Sequence, residues 1–434
     1  MSDQENPFTP GFGDTPSTMA GRDDVLGRIV TAMQRPRHPD RTLALIGGRG
    51  IGKTVALNAA EAAARERGWA VLSVTARRGG RLIDSLIQMA LTPANWPASW
   101  QGQPTRAGFS ASTAAVPAAQ SPANMRYSEF GATLRSALTD LSELAASHNA
   151  GVLITVDELQ GMNSEDAEDF ATTVQHLIRR ERRSLMFLGA GLPVVERTLF
   201  ADEDLTFFQR CRRTVLQPLD SADVEYAITT SVESAGGGIS DDAVDAVVDE
   251  SSGYPFMVQL IGFHAWEASR DPGSGITGAD VHEGIQQART EMGQLFIQPA
   301  WSGLSAGAQR YLQAMALDQG ESSTGLVAER LGKTPTCAAH YRQELIDEGL
   351  AVSPGYGKIR FAHRSLPHWL RNNPSLPPPP EVGATPAAAA RPIVRPEIEE
   401  RLRTDPLANA AALAGELGVT ASYVRQIRQA LYGQ

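Results

Sequence analysis

Between residues 42 and 67 three kinds of sequence follow one another without a gap. TLALI (42–46) is a short apolar run, GGRGIGKT (47–54) is a glycine-rich loop, and VALNAAEAAARER (55–67) has the pattern of a helix. A strand, a loop and a helix in that register leave few folds open. The loop satisfies GxxxxGK[ST], and each position has a physical reason. Glycines at 47, 48, 50 and 52 let backbone N–H groups, including those of Arg49 and Ile51, curl around a β-phosphate, and the helix that follows adds its partial positive charge. Lys53 reaches the β and γ oxygens, and Thr54 is placed to ligate magnesium. Gly47 through Thr54 are therefore the candidate nucleotide-binding residues, with ATP and Mg2+ as the expected cofactors.

About 100 residues downstream, VLITVDELQ (152–160) is an apolar run ending in two carboxylates. Standing alone, such an ending reads equally well as the start of a helix. Coupled to the phosphate loop it places Asp157 in the magnesium shell, so that Thr54 and Asp157 are the metal candidates, and Glu158 as the base that polarises the attacking water. Further on, FFQRCRRTVLQPLD (207–220) carries Arg210, Arg212 and Arg213. An arginine here can reach the γ-phosphate of a neighbour in a homo-oligomer, Arg210 first among them, or the three can form salt bridges to an acidic body. In SSGYPFMVQ (251–259), Gly253, Tyr254 and Pro255 open a helix, where proline is ordinary chemistry.

Apolar runs at 42–46, 70–76, 151–156 and 184–191 alternate with helical stretches, the pattern of a parallel sheet wound by helices. The expected order is a disordered N-terminus (1–20), an ATPase core (21–219) and a helical lid (220–298), the core interrupted by a Ser/Ala/Pro/Gln-rich surface insertion (95–122). A winged helix (299–373) with three helices and a β-like pair follows, then a stiff Pro/Ala linker (374–396) and a helix-turn-helix (397–434).

The net charge of −10 argues against a chain that coats nucleic acid along its whole length. It is unevenly placed, with −12 over residues 1–298, +2 over 299–373 and +1 over 391–434. Any DNA contact is thus expected from the C-terminal third. Cys211 and Cys337 have neither zinc nor disulfide spacing and read as small buried apolar residues. With no signal-like N-terminus and no apolar run near membrane-spanning length, a cytoplasmic location is expected.

GGRGIGKT, VDELQ, FLGAGLP, GYPFMVQLIGFHAW and the stretch from YLQAMAL to KIRFAHRSLPHWLR resemble an actinobacterial family of ATP-binding proteins. That family is related to origin-recognition-type AAA+ ATPases and STAND NTPases, and the resemblance covers roughly residues 20–372. It implies an α/β P-loop NTPase of AAA+/STAND type with a helical lid and a winged helix, and it makes Tyr254 and Pro255 the lid's nucleotide-sensing turn. Two departures imply a slow switch rather than a motor. Gly189, Ala190 and Gly191 stand where many relatives carry a polar residue after the fourth strand, and the second sensor turn has no arginine.

In TPTCAAHYRQELIDEG (334–349), Thr336, His340, Tyr341 and Arg342 are candidate DNA contacts, with Tyr356, Lys358 and Arg360 on the wing. The same fold also serves as a protein-docking module. In the terminal unit Thr420 would cap a helix presenting Ser422, Tyr423, Arg425, Gln426, Arg428 and Gln429, and Arg and Gln can read guanine and adenine edges. Alternatively Leu413, Leu417, Val424 and Ile427 build an oligomerisation unit. The sequence thus leads to an ATPase that gates binding of double-stranded DNA, with a STAND-like switch binding a protein partner as the alternative.

Overall fold

The computed structural model describes residues 5–11, 16, 18–100, 133–269, 273, 275–373, 376, 394–405, 408, 413, 427–428 and 431–432. It divides into two compact units, Met1–Pro377 and Pro378–Gln434.

The first unit is organised on five parallel strands, β1 (Thr42–Ile46), β2 (Ala70–Thr75), β3 (Val152–Asp157), β4 (Leu185–Gly191) and β5 (Arg212–Val215), in the order β2-β3-β4-β1-β5. Around them lie α1 (Asp23–Gln34), α2 (Lys53–Glu66), α3 (Leu82–Leu91), α4 (Leu134–Ser147), α5 (Ser164–Arg179), α6 (Val195–Thr198) and α7 (Thr206–Arg210). Strands covered on both faces need apolar residues at nearly every position, and the central β1, β3 and β4 are buried almost throughout. The edge strand β5 has three of its four residues, Arg212, Arg213 and Val215, exposed, and for that reason RRTV reads as a basic turn rather than a strand. Because β1 sits between β4 and β5 while β2 lies at the far edge, the connections part above the strand ends. The crevice they leave is where the β1 loop and the β3 carboxylates meet.

From residue 221 the chain is helical, with α8 (Ser221–Ser234), α9 (Asp241–Ser251), α10 (Pro255–Ala268), α11 (Gly278–Met292), a π-helical turn over Gly293–Ile297 and α12 (Gln298–Gly303). The Asp220 carboxylate caps α8 by accepting from Asp223 N–H at 2.8 Å, and Thr277 and Asp280 form a capping box on α11. α10 and α11 approach closely at Gly284, where a Cβ would lie 2.7 Å from the Ala265 nitrogen. The N-terminal stretch departs from the expected disorder at residues 6–9. Phe8 is buried against Gly262 of α10, and Asn6 Nδ2 donates to the Phe263 carbonyl at 3.2 Å.

Next come α13 (Ala306–Met315), β6 (Glu321–Ser323), α14 (Thr324–Arg330), α15 (Pro335–Asp347), β7 (Ala351–Val352), β8 (Lys358–Phe361) and α16 (Ser365–Asn372), with an antiparallel sheet in the order β6-β8-β7. The expected β pair is joined by a third strand, β6. Cys337 lies exposed in the first turn of α15, unlike the buried Cys211, which corrects the reading of both as core residues. Of the expected insertion, residues 95–100 are described, and Trp100 is buried, stacked on His148 with ring centroids 5.4 Å apart. The rest of it lies outside the described residues.

In the second unit α17 (Val394–Thr404) begins inside the stretch expected to be linker, with Pro396 in its first turn, where a missing N–H costs nothing. Ile398, Leu402, Leu413 and Ile427 are buried, and the Tyr432 hydroxyl donates to the Leu402 carbonyl at 2.8 Å. Ser422, Tyr423, Arg425 and Gln426, with Thr420 and Gln429, lie outside the described residues.

Candidate functional site

β1 ends at Ile46, and Gly47 N–H still donates to the Gly191 carbonyl of β4 at 3.2 Å before the chain turns away. Gly50 and Gly52 then take φ of +76° and +92°, a region glycine enters without strain. The N–H groups of Gly48, Arg49, Gly50 and Gly52 donate to no protein acceptor among the described residues. An arc of unpaired amides running into the first turn of α2 is a cradle for an anion. Lys53 is buried at its edge, and its Nζ donates to the carbonyls of Gly47 at 2.9 Å and Gly48 at 2.8 Å. Burial pushes its pKa down to about 8, against the pull of the Glu158 and Asp157 carboxylates. A polyphosphate would supply the negative charge this ammonium lacks.

Across the crevice Thr54 Oγ1 donates to Asp157 Oδ2 at 2.7 Å. Thr155 Oγ1 donates to Glu61 Oε1 at 2.5 Å and fixes α2 against β3, so that Lys53, Thr54 and Asp157 share one frame. Among the described residues no group of three or more His, Cys, Asp and Glu side chains could hold a metal. A magnesium ion at Thr54 and Asp157 would therefore complete its shell from phosphate oxygens and water, as that ion commonly does.

Glu158 leaves β3 in the left-handed region, with φ of +55°. Gln160 Nε2 donates to Glu158 Oε2, and Gln160 Oε1 accepts from Leu192 N–H at 3.0 Å. Sequence reasoning passes over Gln160 because its second partner lies beyond β4. It also passes over Arg22, whose partners lie in the phosphate loop and just after β5. The Arg22 guanidinium donates to the Ile51 carbonyl of the loop at 3.0 Å and to the Gln217 carbonyl at 2.8 Å, and burial pushes its pKa down.

Two further elements close on the loop. At the start of α10 the Phe256 N–H donates to the Gly50 carbonyl at 3.3 Å, Pro255 is the first helical residue, and the buried Tyr254 hydroxyl lies 3.4 Å from where a Gly48 Cβ would stand. Burial pushes the Tyr254 phenol upward. Its ring centroid is 5.1 Å from that of His363, whose pKa burial pushes down to about 4 and whose Nδ1 has no partner among the described residues. From the other direction comes the C-terminal end of α15. Gly349 has φ of +70°, and a Cβ there would lie 2.7 Å from Gly48 Cα. Arg49 pairs with Glu348 at 3.4 Å, Val194 N–H donates to the Asp347 carbonyl at 3.2 Å, and Arg197 pairs with the Asp347 carboxylate.

Arg210 is not part of this constellation. β5 pairs with β1 from Leu43 opposite Arg212 to Ile46 opposite Val215, so the arginines stand at the strand-start edge and the phosphate loop at the strand-end edge. Four residues of strand separate the two by about 13 Å. Arg212 pairs with Asp40 at 3.4 Å and Arg213 with Glu196 at 3.2 Å, while Arg210 is exposed and makes no ion pair among the described residues.

The candidate DNA contacts are unequal. Tyr341 is half-buried over Gly307, where a Cβ would come within 1.8 Å of its ring, and so it packs α15 on α13. Arg342 is half-buried, Lys358 is exposed but paired with Glu321 at 2.8 Å, and Arg360 and Tyr356 are exposed. Arg428 turns inward. Its guanidinium donates to the Ala408 carbonyl and its Nε is buried with no partner among the described residues, which corrects its expected role on the groove-facing side.

Residues 18–188 match the family model described as AAA ATPase domain. The core is a P-loop NTPase fold. Beyond it, residues 294–370 match the model described as a domain of unknown function (DUF8462). The NTPase and its helical extensions are similar to the Walker-type ATPase PABY2304 of Pyrococcus abyssi, with a TM-score of 0.58 and 15% identity over 81% of this chain and 96% of that one. They are also similar to the ORC2 protein of Aeropyrum pernix in its ADPNP-ADP complexes, with a TM-score of 0.56 and 14% identity over 84% of this chain and 96% of that one. No curated protein matches the chain. Among the described residues, no helix of the NTPase or its extensions is long and apolar enough to cross a membrane.

Proposed function

We propose that the chain binds ATP with magnesium at Gly47–Thr54, hydrolyses it slowly, and uses the nucleotide state to control binding of double-stranded DNA by its C-terminal modules. Lys53 holds the β and γ oxygens and Thr54 and Asp157 hold the metal. Glu158 accepts a proton from the water whose oxygen attacks the γ-phosphorus, and the bond to ADP breaks. The ADPNP-ADP complexes of the similar ORC2 protein support an adenine nucleotide here.

The observation that carries the reading is the course of α15. The helix starts at the exposed stretch Thr334–Cys337 and, one residue past Glu348, rests backbone to backbone on the phosphate loop. We read 299–373 as a winged helix with α15 as its recognition helix. A ligand in the loop bears directly on Gly349 and on the Arg49–Glu348 pair, so ATP and ADP have unequal contacts with one end of the element whose other end meets DNA. Such unequal contacts are what a nucleotide needs to shift a conformational equilibrium. We assign Arg342, Arg360 and Tyr356 to the DNA face, with residues 397–434 as a second contact. We assign Arg210 to the γ-phosphate of a second copy.

The test is fluorescence anisotropy of labelled mixed-sequence duplex DNA with ATP, ADP or no nucleotide at two salt concentrations. Binding should depend on nucleotide, fall steeply with salt, and weaken in Arg360→Ala. Absence of binding in all three states would sink the DNA reading and favour a switch whose C-terminal modules bind a protein.

A further inference from the structure

The strand-end edge of β4 lies beside the base candidate, yet it offers no polar side chain, since its last three residues are Gly189, Ala190 and Gly191. This bareness is sterically imposed. A Cβ at Gly189 would stand 2.7 Å from Leu159 Cδ1, and one at Gly191 would stand 2.8 Å from Val195 Cγ1 and 3.3 Å from Gln160 Oε1. The volume that side chains from β4 would need is already filled, in part by Gln160 itself.

Gln160 is anchored at one end and directed at the other. Its Oε1 accepts from Leu192 N–H, immediately after β4, and because an amide has distinct donor and acceptor ends this contact orients Nε2 toward Glu158 Oε2. Glu158 Oε1 is left without a hydrogen bond among the described residues. A water positioned by this carboxylate finds both lone pairs of Oε1 open, while one of those on Oε2 is taken. The left-handed backbone at Glu158 gives the carboxylate a fixed departure from β3, and the 310 turn Leu159–Gly161 returns Gln160 toward it.

We infer that Gln160 is the positioning residue for ATP hydrolysis, supplying from the β3 side the polar group that the β4 edge has no room to carry. It acts by holding Glu158 Oε2 and leaving Oε1 as the proton acceptor when water attacks the γ-phosphorus and ADP departs. This inference rests on the ATPase reading above.

The experiment is single-turnover hydrolysis of ATP by wild type, Gln160→Ala and Gln160→Glu across pH, with the nucleotide Kd and the thermal midpoint measured on the same samples. Both variants should lose about 10-fold or more in the hydrolysis rate, while nucleotide Kd stays within about 3-fold. Gln160→Glu keeps the shape but sets a second carboxylate beside Glu158, so the acid limb of its rate profile should move to higher pH. That shift reports that position 160 adjoins the reacting carboxylate, and the loss of rate in Gln160→Ala at unchanged nucleotide Kd and thermal midpoint is what a merely structural glutamine would not give. Hydrolysis in both variants at the wild-type rate, or faster, would overturn the inference while leaving the ATPase reading intact. A wild-type protein that binds ATP but does not hydrolyse it would overturn both. If Gln160→Ala loses its fold, Gln160→Glu carries the test alone.

Discussion

Lys53 at one edge of the central sheet and Arg210 at the other are held in opposite ways. At the strand-end edge Lys53, Thr54, Asp157 and Glu158 are each tied down by a hydrogen bond to loop backbone, to one another or to Gln160. At the strand-start edge Arg210 is exposed and makes no ion pair among the described residues, near an open cleft of about 810 Å³ lined by residues of α5 and α7 that include Gln175, Arg179 and Thr206. The first edge has what phosphate binding asks for within a single chain. The second has an exposed cation beside a recess, the placement that the proposed contact with a second copy requires.

Substitutions at the two edges should therefore differ in kind. The largest effect is expected from Arg210→Ala, which should lower turnover by about 10³-fold or more where the protein assembles and leave nucleotide Kd unchanged. Turnover that does not vary with protein concentration, and is the same in the variant, would remove the distinction between the edges. Glu158→Gln should slow hydrolysis by about 10²-fold to 10⁴-fold at every concentration while retaining ATP. A variant that hydrolyses normally would mean that the base is a different group.

Lys53 provides a finer measure of the loop edge. Lys53→Ala should weaken ATP binding by about 100-fold, the loss of charge-assisted bonds to two phosphates. In the wild type the ammonium titrates at about 8, and the phosphates of a bound nucleotide raise that value. Binding at about pH 9 should then take up a proton, and at about pH 7 it should take up almost none. Calorimetry in buffers of different ionisation enthalpy measures this uptake, and uptake that persists in Lys53→Ala would assign it to another group. The smallest effect concerns the wall behind Tyr254. His363 titrates near 4 in the folded protein against 6.5 for an unperturbed histidine, so between those values the unfolded chain holds a proton that the folded one does not. Stability should fall as the pH drops through that window, and His363→Gln should flatten the slope of thermal midpoint against pH.

Four of the five core strands are readable as apolar runs within a residue of where they lie, because strands buried on both faces write their burial into every position. β5 and β6 are not readable, since RRTV and ESS are mostly exposed and their pairing partners are distant in sequence. The candidate site divides in the same way. The loop is one contiguous stretch, and its chemistry can be read from glycine, lysine and threonine spacing. Arg22, Gln160, His363 and Gly349 reach it from four separate places, and each is ordinary in its own local context. Tyr341 and Arg428 illustrate the converse, having the right chemistry for DNA while their side chains are occupied with packing.

The meeting of Gly48 and Gly349 has a consequence for how this sequence can change over time. Gly349 has no space for even a methyl group, since a Cβ there would lie 2.7 Å from Gly48 Cα, whereas one at Gly48 would press more lightly, 3.1 Å from the Gly349 carbonyl oxygen. A substitution at Gly349 has to be answered by separation of α15 from the loop, because the obstacle is the backbone of Gly48 and no smaller residue can take that position. Descendants of this chain should therefore keep Gly349 for as long as nucleotide controls the helix, and a lineage that has lost it should be one in which that control has gone.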